Sequence, residues 1–276
     1  MTGTDRKRIA IVANETQRSQ EVAQLLTEKL SDDAVFEMDA VKPDIILTVG
    51  GDGTLLKAFH QYEAMLDTVR FIGVHTGHLG FYTDFVVDEI PEMLSALKDE
   101  NPATAWKYPL LKVIVRLKNG VVETHHALNE ATVRRHSRTL VANVTIADEF
   151  FEKFRGDGLS VATPTGSTAY NKSIGGAVMH PRVEALQLTE IASLNNRVFR
   201  TLGSPMIVAK KDIIKIFPEP ADNYSLSVDQ LEFDYEDIES LDYSLDGTTI
   251  AFANIAHTHF WERVRNSFIT DGLTDN

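Results

Sequence analysis

Ile45-Ile46-Leu47-Thr48-Val49-Gly50-Gly51-Asp52-Gly53-Thr54 sets an apolar run directly against a glycine-rich turn. The run is short and rich in branched side chains, so it reads as a buried strand. Beyond the turn, Thr54 to Leu66 places Leu55, Leu56, Phe59 and Tyr62 on one side of a predicted helix. Working outward, Arg8–Ala13 and Phe71–Val74 read as strands. Ser19–Leu30 and Glu89–Leu97 read as helices, the former with Val22, Leu25, Leu26 and Leu30 at helical spacing. Strand, glycine turn, helix, strand is the pattern of a parallel sheet covered by helices.

At Asn101-Pro102 the texture changes. Strand-like runs follow at Leu110–Leu117, Val121–Leu128, Leu140–Ile146, Leu159–Ala162, Pro205–Ala209, Ile213–Phe217, Tyr224–Val228 and Thr248–Ala253, with turn signals such as Asn119-Gly120 and Asp246-Gly247. Val183–Asn195 is predicted as a helical interruption, and Thr258–Phe268 as a last helix. The expected fold is therefore an α/β N-terminal domain with a parallel sheet (1–100) and a predominantly β, sandwich-like C-terminal domain (101–256). A C-terminal helix within 257–276 is expected to return to the first domain. Eight carboxylates between Asp229 and Asp246 read as a solvated face on β edges.

The chain has 276 residues, no cysteine and a formal charge of −13. Without cysteine there is no disulfide, thiolate catalysis, iron–sulfur cluster or Cys-ligated zinc. No stretch approaches the roughly 18 apolar residues of a spanning helix, and the N-terminal apolar run is too short for a secretory signal. A cytoplasmic location is expected. An acidic chain repels nucleic acids and anionic membranes, yet a small anionic ligand can still be held by local amides. His125-His126 and His257-x-His259 lack a matching zinc-ligand set, so no metal ligand is assigned.

Gly50, Gly51 and Gly53 let the backbone bend and approach a ligand, and the following helix start favours an anion. Asp52 is out of place in a pure phosphate cradle, because it would repel the phosphate. It fits if the carboxylate accepts a proton from a hydroxyl or meets a metal. The turn is neither the dinucleotide fingerprint nor a P-loop, lacking the third glycine of one and the Gly-Lys-Ser/Thr of the other.

Gly-Gly-Asp-Gly-Thr after a hydrophobic strand resembles the signature shared by NAD kinases, diacylglycerol-type lipid kinases and, in a variant, phosphofructokinases. Gly73 to Asp84, Asn129-Glu130 and above all Gly156 to Tyr170, continuing to Ser173 and Gly175-Gly176, are similar to NAD kinases, and the lipid kinases lack the last of these. One departure is His75, where many members carry asparagine. The resemblance implies transfer of the ATP γ-phosphoryl group to the 2′-hydroxyl of the adenosine ribose of NAD, with Asp52 as general base. It implies NAD contacts from Asp52, Gly53, Phe81, Tyr82, Asn129, Glu130, Arg155, Asp157, Thr168, Ala169, Tyr170, Asn171, Lys172, Ser173, Ala192 and Gln230. ATP phosphates would meet Gly50, Gly51, Gly53, Thr54 and Lys57. It further implies Mg2+ with ATP, no nucleic-acid or membrane partner, and a homo-oligomer, a tetramer. The alternatives are a lipid kinase and a non-catalytic NAD-binding sensor; the charge and the second motif count against the first, Asp52 against the second.

Overall fold

The computed structural model describes residues 6–77, 80–136, 138–221, 223–255 and 260–269. They divide into two compact units, one built from the residues up to Lys107 together with those from Thr249 onward, the other from Tyr108–Thr248.

In the first unit Ile45–Val49 is buried at all five positions, as expected of a strand covered on both faces. It pairs in parallel with Lys7–Ala13 on one side and Arg70–His75 on the other. The sheet order runs Phe36–Met38, Lys7–Ala13, Ile45–Val49, Arg70–His75, Thr249–Phe252, Trp106–Pro109, with Phe85–Val86 also paired to Arg70–His75. The helix Gln17–Ser31 is capped by Thr16, whose hydroxyl accepts from the Ser19 amide, and buries Val22, Leu26 and Leu30 at intervals of four. The predicted helix beginning at Thr54 starts two residues earlier and spans Asp52–Gln61, with Glu63–Met65 as a separate 3₁₀ turn.

In the second unit two six-stranded sheets share one core. The first runs Glu149–Gly156, Leu140–Ile146, Ile214–Pro218, Ile238–Ser244, Leu111–Leu117, Val122–Ala127. The second runs Met206–Ala209, Ala185–Ile191, Gly158–Ala162, Glu130–Arg135, Tyr224–Val228, Leu231–Tyr235. Val113, Ala142 and Ile216 of the first and Val133, Leu159 and Leu188 of the second meet in the same hydrophobic cluster. The fold class is thus α/β with a mostly parallel sheet, followed by antiparallel β-rich sheets.

The helix expected over Val183–Asn195 is instead the strand Ala185–Ile191. Its residues favour helix in isolation, but the segment lies between Gly158–Ala162 and Met206–Ala209 and hydrogen-bonds to both. Tertiary pairing overrides local propensity there. The last helix is described over Phe260–Phe268; of the stretch expected to return, residues 257–259, with His257 and His259, and 270–276 lie outside the described residues. No described helix is long and apolar enough to cross a membrane.

Candidate functional site

Asp52 sits at the first position of its helix, where Gly51 is the N-cap. A carboxylate there complements the unpaired amides and positive end of the first turn. Its two oxygens are also tied elsewhere: Phe81 N–H donates to Oδ2 at 2.9 Å and Tyr82 N–H to Oδ1 at 3.0 Å. Each oxygen therefore keeps lone-pair capacity for a further donor. Gly80 makes this grip possible, because a Cβ there would lie 2.2 Å from Asp52 Oδ1. Gly50 has φ +152, and a Cβ on it would meet Thr54 Oγ1 at 2.2 Å. Cβ positions on Gly51 and Gly53 meet nothing within 4 Å, so the turn presents bare backbone to open space beside the carboxylate. Lys57 is exposed one turn along, and Thr54 is buried.

The side chains of Phe81 and Tyr82 serve packing, while their amides hold Asp52. Phe81 lies against the rings of Phe260 and Phe268, and Tyr82 stacks on Phe252.

In the second unit Asn129 and Glu130 are both buried at the start of the strand Glu130–Arg135. A residue from the acidic patch secures them. Asp229, in a left-handed conformation at φ 52, accepts from Leu128 N–H at 2.9 Å, Asn129 N–H at 2.7 Å and Glu130 N–H at 3.3 Å. Thr163 and Thr165 direct their hydroxyls onto the Leu128 carbonyl at 2.6 and 3.0 Å. Gly166 presses so closely that a Cβ would fall 2.0 Å from the Asn129 carbonyl oxygen. The hydroxyl-rich loop Thr163–Thr168 therefore spends much of its polarity on fixing the Asn-Glu backbone. Sequence reading missed Gly80 as a contact of Asp52 and Asp229 as a clamp. Gly80 was visible only as a member of the resembling segment.

Glu130 and Tyr170 line one cleft of about 280 Å³, with Arg134, Ser227, Asp229 and Glu232 around them. Arg134 donates to the Tyr170 hydroxyl, and its guanidinium lies 5.3 Å from the ring centroid. Burial raises the Glu130 carboxyl from 4.5 to about 8; the Asp229 charge adds to this and the Asn171 backbone amide opposes it. A protonated Glu130 can both donate to and accept from a sugar hydroxyl. The shift also sets a pH dependence. Below the unfolded value both states are protonated and nothing is lost. As pH rises toward about 8 the unfolded chain gives up its proton while the folded chain retains it, so stability falls. Glu130→Gln removes that slope. The variant is expected to gain on the parent by a few kcal/mol, on the order of the linkage cost, between acidic and mildly alkaline buffer in urea unfolding. Parallel profiles would mean that Glu130 is ionised in the fold.

The other candidates are spread over the same unit. Thr168 is buried, Ala169 half-buried, and Lys172 and Ser173 exposed. Asn171 is fully buried and accepts from the Thr189 hydroxyl at 2.9 Å. Arg155 lies over the Phe199 ring at 4.0 Å, whereas Asp157 is exposed. Ala192, at φ 47, and Gln230, in the turn after Asp229, are exposed. Among the described residues no three His, Asp or Glu side chains gather as a metal-holding group.

Two family models match the chain in order. ATP-NAD kinase N-terminal domain covers residues 11–101, and ATP-NAD kinase C-terminal domain covers 128–240. The chain belongs to the NAD kinase family. It is 59% identical to the NAD kinase of Lactococcus lactis subsp. cremoris (strain SK11) over 263 residues, 95% of this chain and 97% of that one. It is 53% identical to the NAD kinase of Streptococcus gordonii over 270 residues, 98% and 97% of the two. Its fold matches the crystal structure of yeast NADH kinase complexed with NADH (TM-score 0.79, 21% identity, covering 98% of this chain and 89% of that one). It also matches an Archaeoglobus fulgidus NAD kinase in complex with ATP (TM-score 0.72, 21% identity, 94% and 99%). Asp52 and its two amide donors fall within the N-terminal NAD kinase model, and the Asn129-Glu130 pair and Tyr170 within the C-terminal one. The helix Phe260–Phe268 of this NAD kinase lies beyond both.

Proposed function

We propose that this NAD kinase transfers the γ-phosphoryl group of ATP to the 2′-hydroxyl of the adenosine ribose of NAD, giving NADP and ADP, with Asp52 as the general base. The observation that carries this reading is the Asp52 carboxylate, gripped by two backbone amides and flanked by glycines open to space. Phosphoryl transfer needs little covalent help from the protein beyond positioning, charge neutralisation and a group to orient or deprotonate the nucleophile. Asp52 orients the hydroxyl, accepts its proton as the new O–P bond forms, and leaves ADP to depart with the electrons of the broken bond. Gly51 and Gly53 bring bare backbone at the helix start to the ATP phosphates; Gly50 and Thr54 shape the turn, their amides donating to Val74 O and Gly51 O at 2.9 Å each, and Lys57 adds a positive charge one turn away.

Asn129 and Glu130 would read the adenosine, since an amide matches a base edge and a protonated carboxyl suits a ribose hydroxyl. Phe81 and Tyr82 act through the amides that fix the base. Arg155, Asp157, Thr168, Ala169, Tyr170, Asn171, Lys172, Ser173, Ala192 and Gln230 are proposed to contribute the remaining NAD contacts. Mg2+ suits the described residues, among which no cage of carboxylates gathers, because this ion keeps waters and takes phosphate oxygens as ligands. Bound with ATP it would neutralise charge on the β- and γ-phosphates. The working form is inferred to be a cytoplasmic homo-oligomer, a tetramer.

Purified protein given NAD, ATP and magnesium is expected to form NADP, read by an NADP-specific dehydrogenase. No product above background would overturn the assignment. Phosphorylation of diacylglycerol in its place would favour the lipid-kinase reading.

A further inference from the structure

Arg263 stands on the helix Phe260–Phe268 and is 3% exposed. A buried guanidinium is costly unless its donors are used. Its Nη2 donates to Asp84, and this pair alone would supply the neutralising charge. Nη1, however, is spent on main-chain carbonyls: Phe81 O at 2.7 Å, Thr83 O at 3.0 Å and, more distantly, Gly80 O at 3.4 Å. Two of these carbonyls belong to particular peptide groups. The Gly80 carbonyl shares its peptide plane with the Phe81 N–H, which donates to Asp52 Oδ2. The Phe81 carbonyl shares its plane with the Tyr82 N–H, which donates to Asp52 Oδ1. One cation and one carboxylate therefore face each other across two peptide groups, each held at both ends.

We infer that Arg263 is a positioning residue for Asp52, fixing by their carbonyls the two peptide groups whose amides grip the carboxylate. The inference rests on Asp52 being the base. A peptide plane can rotate to meet competing donors, and rotation of either plane would swing an N–H away from Asp52. Fastening the carbonyl end to a buried fork removes that freedom. Hydrogen bonds in series also polarise one another, so each amide becomes a better donor toward the carboxylate. The rings of Phe260 and Phe268 against Phe81 hold the helix in register with the segment it controls.

The test is a double-mutant cycle read in kcat and KM. Arg263→Gln is expected to lower kcat about tenfold to a hundredfold, the cost of a misplaced catalytic group, with KM for NAD nearly unchanged. Arg263→Lys, which keeps the charge but loses the fork, is expected to recover part of that loss. In an Asp52→Asn background neither change should lower kcat further, because the group being positioned is already gone. Losses that multiply in the double variant would overturn the proposal and leave Arg263 a general support of the fold. So would an unaltered kcat in Arg263→Gln, or failure of both Arg263 variants to fold. If Asp52→Asn alone retains turnover, it is the assignment of the base that fails, and the proposal falls with it.

Discussion

Asp52→Asn is expected to bind NAD about as well as the parent and to lose turnover by roughly a hundredfold to ten-thousandfold, the range for removing a general base. The asparagine keeps the side-chain shape. Its carbonyl oxygen can still accept from one of the two amides that now donate to Oδ1 and Oδ2. The other amide would face an NH2 group, so one donor loses its partner, a structural cost of about 1–3 kcal/mol. The chemical cost is larger, because no carboxylate remains to take the proton of the attacking hydroxyl. Isothermal titration with NAD and steady-state kinetics separate the two effects. A kcat within about threefold of the parent would remove Asp52 from the chemistry, since general-base contributions are far larger.

Gly80→Ala carries the second large effect. The added methyl would start 2.2 Å from Oδ1, 2.7 Å from Cγ and 2.9 Å from Oδ2 of Asp52. A Cβ does not approach a non-bonded atom that closely, so either the carboxylate turns off its amides or the segment Gly80–Thr83 moves away. Both displace the base, and the expected result is a kcat loss of about a hundredfold, the scale for a displacement of about 1 Å. Overpacking should also cost about 1–3 kcal/mol of stability. Kinetics and a thermal melt on the same preparation check this. Full activity at an unchanged Tm would show that the approach of Gly80 to Asp52 is not required.

The strongest features were local in sequence. The apolar run into Gly50-Gly51-Asp52-Gly53-Thr54 placed a strand end, a turn and a helix start within ten residues, and the strand Ile45–Val49 and helix Asp52–Gln61 occupy those positions. The α/β and β-rich textures were likewise readable from periodicity. What sequence could not supply came from distance along the chain. Asp229 meets Leu128 from 101 residues away, and before folding it is one of eight carboxylates in an acidic stretch. Arg263 meets Phe81 from 182 residues away and sits in a helix with nothing unusual in its composition. Ala185–Ile191 was misread for the same reason, since its strand state depends on neighbours on both sides that its own residues do not announce.

The first unit is left unfinished until the chain has passed through all of Tyr108–Thr248 and returned at Thr249. During synthesis on the ribosome, Asp52 emerges more than two hundred residues ahead of Arg263, and ahead of the strand Thr249–Phe252 that sits between Arg70–His75 and Trp106–Pro109. A nascent chain thus carries Asp52 long before the strand Thr249–Phe252 and the helix Phe260–Phe268 of the same unit have been made. A product of premature termination would possess the glycine turn yet lack the strand Thr249–Phe252 and the Arg263 contacts to the Phe81 and Thr83 carbonyls.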